Sequence, residues 1–135
     1  MVTGEILGYW EAKQRYGNPS VTWAELIQPS IDLCFNGITV TAHAANAMRS
    51  SKKYILADPG LRSLFVKKKT GKVLEAGDVY VNTVFGNTLK KIAEGGAEVF
   101  YRGEVGQDLV KDIQEDGGII TAQVRTILCP DWLTQ

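Results

Sequence analysis

Helix-breaking residues recur at short intervals along this chain and confine it to helices of modest length. Gly17-Asn18-Pro19, Gly37, Asp58-Pro59, Thr70-Gly71, Gly95-Gly96 and Gly117-Gly118 divide the 135 residues into short segments. Glycine accepts the left-handed conformation at a helix end, and proline has no backbone donor to continue one. Between the breaks, apolar residues return mostly at helical spacing. Thr3 is placed to cap a first helix on which Ile6, Tyr9, Trp10 and the stem of Lys13 share a face, with Gly17 ending it in the left-handed region. Thr22-Trp23-Ala24-Glu25 has the form of a capping box, opening a helix whose stripe is Leu26, Ile27, Ile31 and Cys34. Pro29 falls inside that helix and predicts a bend, and Gly37 closes it.

The rest of the chain continues this pattern. Ile38-Thr39-Val40 reads as extended, and Thr41 to Leu56, rich in alanine, as one helix. Asp58-Pro59 supplies the cap and first residue of a further helix, with Leu61, Leu64 and Phe65 on its inner side. Lys67-Lys68-Lys69-Thr70-Gly71-Lys72 reads as an exposed hairpin tip, after which Val73-Leu74 pairs back weakly. Asp78 to Val81 is a brief strand or a lead-in to a helix over Thr83 to Glu94, which Gly95-Gly96 terminates. Glu104 to Glu115 is amphipathic, with Val105, Leu109 and Ile113 at successive turns. The expected class is mainly α with a short β-hairpin.

Charge and composition exclude several roles. Fifteen Lys+Arg balance 15 Asp+Glu, so the excess of cations that phosphate recognition requires is missing and no nucleic-acid partner is expected. With 44% hydrophobic residues, the chain is too apolar for an intrinsically disordered one. Its unbroken apolar runs are far short of the roughly 20 residues that span a bilayer. The opening Met-Val-Thr-Gly-Glu lacks the basic and apolar regions of a secretory leader, which suits either a reduced intracellular chain or one whose true start lies upstream. Asn18-Pro19-Ser20 has the outline of a glycosylation sequon, but its central proline disqualifies it.

Residues able to carry chemistry are few. Cys34 and Cys129 have no paired spacing, so a zinc site is not expected. A Cys34–His43 nucleophile pair, with Asp32 nearby in sequence, is disfavoured because Cys34 belongs to an apolar stripe and no third group orients His43. Asp108, Asp112, Glu115 and Asp116 read as the solvated face of the last helix, not as metal ligands. Gly117-Gly118 precedes Ile-Ile-Thr and lacks the Lys-Ser/Thr of a phosphate loop. No catalytic, substrate-binding or metal residue is assigned, and no cofactor is expected.

A set of ordered strings gives a family resemblance. Val2-Thr3-Gly4-Glu5-Ile6-Leu7-Gly8-Tyr9 resembles the Val-Pro-Gly-Glu…Gly-Tyr stretch of gamma-glutamyltranspeptidases, the glutathione hydrolases. Gln14-Arg15-Tyr16-Gly17, Trp23 to Ile31, Thr88 to Gly95, Phe100-Tyr101-Arg102-Gly103, and Lys111-Asp112-Ile113-Gln114…Gly117-Gly118-Ile119-Ile120-Thr121 follow in the family's order. The likeness runs from Val2 to Ala122 and corresponds to the middle of the large subunit. It implies a helical, incomplete part of an N-terminal nucleophile hydrolase, whose full form is an αββα sandwich.

The resemblance also implies what the parent does. Its precursor cleaves itself to expose a threonine at the start of a small subunit. That threonine attacks the gamma-glutamyl amide of glutathione, and the glutamyl group passes to water or to an amino-acid or peptide acceptor. The parent would pair with its small subunit, bind glutathione, and lie on the extracellular face of the plasma membrane or be secreted. No position of this chain matches the nucleophilic threonine or the arginine that grips the substrate carboxylate, so the expectation is an inactive fragment. The alternative is a non-catalytic binding or regulatory module that pairs with a full-length homologue. Thr3 replaces the family's proline, a change compatible with the same turn. After Ala122 the family's acidic-Asp-Leu…Tyr pattern is lost. The expected organisation is therefore a large-subunit fragment at residues 1–122 and a divergent tail at 123–135, with a changed reading frame, an alternative exon or read-through as its origin.

Overall fold

A computed structural model describes residues 4–121, and within them the chain is mostly helical. In order, the elements are α1 (Glu5–Tyr16), α2 (Trp23–Asn36), β1 (Ile38–Thr39), α3 (Ala42–Ser50), α4 (Lys52–Ala57), α5 (Pro59–Phe65), β2 (Val79–Tyr80), α6 (Thr83–Tyr101) and α7 (Glu104–Glu115). The expected cap at Thr3 and the tail at 123–135 lie outside the described residues. The chain divides into two units: residues 1–29 with 87–135, and residues 30–86.

Local chemistry sets most of the boundaries. The capping box forms: the Glu25 backbone N–H donates to Thr22 Oγ1 at 3.2 Å, and the Thr22 N–H donates to Glu25 Oε2 at 2.6 Å. Asp58 Oδ1 accepts from the Leu61 N–H at 2.7 Å, with Pro59 as the first helical residue of α5. Helix α2 passes through Pro29 without ending. Gly95-Gly96 breaks the path where expected: Gly96 has φ 66° and ψ −162°, so α6 is two helices joined at a kink.

Two expectations about the backbone need correction. Gly17 is extended, with φ −74° and ψ 152°, rather than left-handed. Glycine is required there for room, because a Cβ would lie 2.4 Å from the Lys13 carbonyl oxygen that the Gly17 N–H caps. The alanine-rich segment is interrupted at Ser51, which separates α3 from α4. A further pairing, not expected from the sequence, joins the two short strands. β1 and β2 pair antiparallel across a long separation, Ile38 opposite Tyr80 and Thr39 opposite Val79. The expected hairpin forms at the lysine-rich tip, where Val73 pairs back to Val66 through a single antiparallel bridge.

In the unit of residues 1–29 and 87–135, Trp10 and Trp23 pack together. They meet edge to face with ring centroids 5.1 Å apart. The Trp23 indole N–H donates to the Ile92 carbonyl at 2.9 Å, and Tyr101 Oη accepts from the Leu7 N–H at 3.2 Å. Ile92, Ala97, Tyr101, Val105 and Val110 are buried. On α7 the inward face is Val105, Gly106 and Val110, while Leu109 is 38% exposed. The expected Val105–Leu109–Ile113 stripe is thus rotated. Gly106 and Val110 are buried, which spacing alone does not reveal.

In the unit of residues 30–86, Val40, Ala45 and Leu74 form the core, with Ala44, Met48, Phe65 and Tyr80 against it. Phe65 and Tyr80 meet edge to face at 5.3 Å. Ile31 and Cys34 of α2 are buried, but Leu26, earlier on that helix, is 52% exposed and does not complete the expected stripe. Gly86 permits close approach to Cys34 and Phe35, because a Cβ there would come within 2.6 Å of the Phe35 ring.

Candidate functional site

The residues with reactive side chains do not converge. Cys34 is 3% exposed, and burial pushes its thiol above the usual range, which disfavours the thiolate a nucleophile needs. His43 lies exposed on α3 and shares no hydrogen bond with Cys34 among the described residues. Asp32 is exposed on α2. Asp108, Asp112, Glu115 and Asp116 are all exposed at or beyond α7, where Lys111 reaches Glu115 at 3.8 Å. Among the described residues, no three His, Cys, Asp or Glu side chains group as metal ligands. No helix among them is long and apolar enough to cross a membrane.

The strongest local electrostatics belong to the lysine-rich tip. Lys67 Nζ lies 2.7 Å from Asp78 Oδ2 and 3.2 Å from Glu75 Oε2. Hydrogen bonds to Asp78 and then Glu75 hold the Lys67 ammonium above its usual range, and the Lys67 partner holds the Asp78 carboxyl below its own. Asp78 Oδ2 also accepts from the Glu75 backbone N–H at 2.6 Å. This network ties the two arms of the segment after α5 together, and its donors and acceptors are already engaged. Its role is structural.

A groove beside this segment is better suited to ligands. It has a volume of about 240 Å³ and is lined by Ala45 and Arg49 of α3, Lys52 of α4, and residues 72–75. Its floor is apolar and three cations line it. Sequence reading identified the lysine tip but missed this groove, because Arg49 and Lys52 join Lys72 only when α3 and α4 fold against the returning segment.

Comparison with known proteins identifies the class. The gamma-glutamyltranspeptidase family model matches residues 1–123, and the chain belongs to that family. Glutathione hydrolase 3 of Arabidopsis thaliana is 41% identical over 120 residues, covering 89% of this chain and 18% of the relative. Scoloptoxin SSD14 of Scolopendra dehaani is 40% identical over 122 residues, covering 90% of this chain and 21% of the relative. The gamma-glutamyltranspeptidase structure from Helicobacter pylori superposes with a TM-score of 0.78 at 28% identity, covering 90% of this chain and 34% of that one. The chain spans about a fifth of the length of the curated relatives it matches.

Proposed function

We propose that this chain is part of the large subunit of a gamma-glutamyltransferase, a glutathione hydrolase. The parent cleaves the gamma-glutamyl bond of glutathione and passes the glutamyl group to water or to an amino-acid or peptide acceptor. The supporting observation is the family match, which runs through nearly the whole chain while the relatives extend about five times further. In this reading residues 1–122 are a helical part of the large subunit, and the nucleophilic threonine belongs to a partner small subunit. The divergent tail is proposed at 123–135; the family match runs to residue 123, within one residue of that boundary.

The chemistry assigns the chain a supporting part. Acyl transfer by a threonine requires a hydroxyl activated by a base, together with donors aimed at the developing oxyanion. Here the one described thiol is buried with its pKa raised, and the histidine is on the surface away from any acid–base pair. The purified 135-residue chain is therefore expected to release no p-nitroaniline from gamma-glutamyl-p-nitroanilide. Residues 1–122 grafted in place of the matching stretch of Arabidopsis glutathione hydrolase 3 are expected to retain turnover. Turnover by the isolated chain would overturn the inactive reading. A well-expressed, folded chimaera without turnover would overturn its assignment as an exchangeable large-subunit piece.

A further inference from the structure

We propose that the groove between α3, α4 and residues 72–75 is a docking site for an extended acidic peptide of another protein, which adds as a strand to the open edge at Val73. Two independent observations lead there. The first is the hydrogen-bond pattern around the Val66–Val73 bridge. The Lys67 N–H donates to the Lys72 carbonyl at 2.8 Å, and the Leu74 N–H donates to the Phe65 carbonyl at 2.9 Å. These bonds flank an antiparallel pair without bonding it directly. In such a pair the N–H and C=O of each central residue point away from the partner strand. Those of Val73 therefore face the opposite edge, where they have no hydrogen-bond partner among the described residues. Val73 is only 9% exposed, so an unmet donor and acceptor there call for an explanation. The groove is lined by residues 72–75 and by none of 65–67, which puts it beside that open edge.

The second observation is charge. Arg49, Lys52 and Lys72 line the groove, and none pairs with a carboxylate among the described residues. Arg49 reaches only the neutral Asn46, its Nη1 donating to Oδ1 at 3.0 Å. The one acid in the lining, Glu75, is held by Lys67. The neutral total also conceals a local excess: residues 30–86 carry eight Lys and Arg against four Asp and Glu, leaving seven against eleven elsewhere. Strand addition provides main-chain bonds, and the flanking side chains select the sequence. Here the selection is for carboxylates. A small anion could accept from the Val73 N–H but has no donor for its carbonyl, whereas an extended peptide supplies both, so the edge favours a peptide. The site does not depend on the assignment to glutathione chemistry, and its test uses no substrate of that reaction.

The test is fluorescence anisotropy with the full chain and a labelled hexapeptide alternating Glu and Val, which in extended form presents its acids on one face. Saturable binding is expected, weakened about tenfold by the R49E/K52E double variant and weakened again by salt. Both substituted positions are exposed, and circular dichroism checks that the variant keeps its helices. A peptide N-methylated on its central residues keeps every charge but loses strand pairing, and about fivefold weaker binding is expected, from one lost main-chain hydrogen bond. The second variant lies in the ligand, so it cannot affect folding of the protein. Failure to bind, or equal binding of the N-methylated peptide, overturns the proposal. Displacement of the peptide by micromolar inorganic pyrophosphate or single-stranded DNA would reassign the groove to those anions. A concentration-dependent dimer abolished by R49E/K52E would reassign it to a second copy of this chain. Either result also overturns the proposal.

Discussion

Single residues decide this fold where backbone geometry leaves no substitute. Gly96 combines φ 66° with ψ −162°, a region open to glycine almost alone. A Cβ there would also lie 3.0 Å from the Trp10 ring. Gly96→Ala is therefore expected to destabilise the chain by about 1–3 kcal/mol, the cost of holding a residue in such a conformation. The shift in urea midpoint between the variant and the native chain measures it. An unchanged midpoint would mean that the kink tolerates a side chain. Cys34 shows the same dependence on surroundings in its chemistry. Burial raises the pKa of its thiol and so disfavours the thiolate.

At the scale of elements, helix starts are set locally and buried faces are not. Thr22 and Glu25 satisfy each other's backbone donors, and the Thr22 side-chain and backbone hydrogen bonds hold the Glu25 carboxyl below its usual range. Thr22→Ala is expected to cost about 1 kcal/mol, read from the same urea titration. A lowered carboxyl pKa adds stability above the ordinary glutamate range, and that stability is lost as pH falls through the folded value. The native chain is thus expected to lose stability as pH drops below about 4. In Glu25→Gln that loss should be smaller, and equal slopes for the two proteins would count against the charged cap. The buried faces behave differently. Spacing picked out Leu109 on α7 and Leu26 on α2, and both are substantially exposed, because the neighbouring elements contact the adjacent face.

For the whole molecule, apolar surface remains outside. Val84 is 77% exposed and Phe85 51%, and Val79 and Val81 are also exposed. Isolated apolar residues on a surface are ordinary, but four so close in sequence offer exposed apolar area to a hydrophobic dye. The native chain is expected to enhance the fluorescence of anilinonaphthalene sulfonate, and a Val84→Ser/Phe85→Ser variant to reduce that signal by about half or more. A native chain that leaves the dye dark would contradict this. Much of the architecture was legible in the sequence. The capping box, Asp58-Pro59, Gly95-Gly96 and the lysine tip act through neighbours within a few residues, and such interactions are encoded where they occur. The family, too, was legible from ordered strings spread along the chain. The β1–β2 pairing and the inward face of α7 were not, because both depend on residues far away in sequence. Neutral net charge argued against a nucleic-acid partner and gave no sign of a local cationic cluster. Only folding brings Arg49, Lys52 and Lys72 around an open strand edge, since local hydrogen bonds place elements but long-range packing decides which side chains meet.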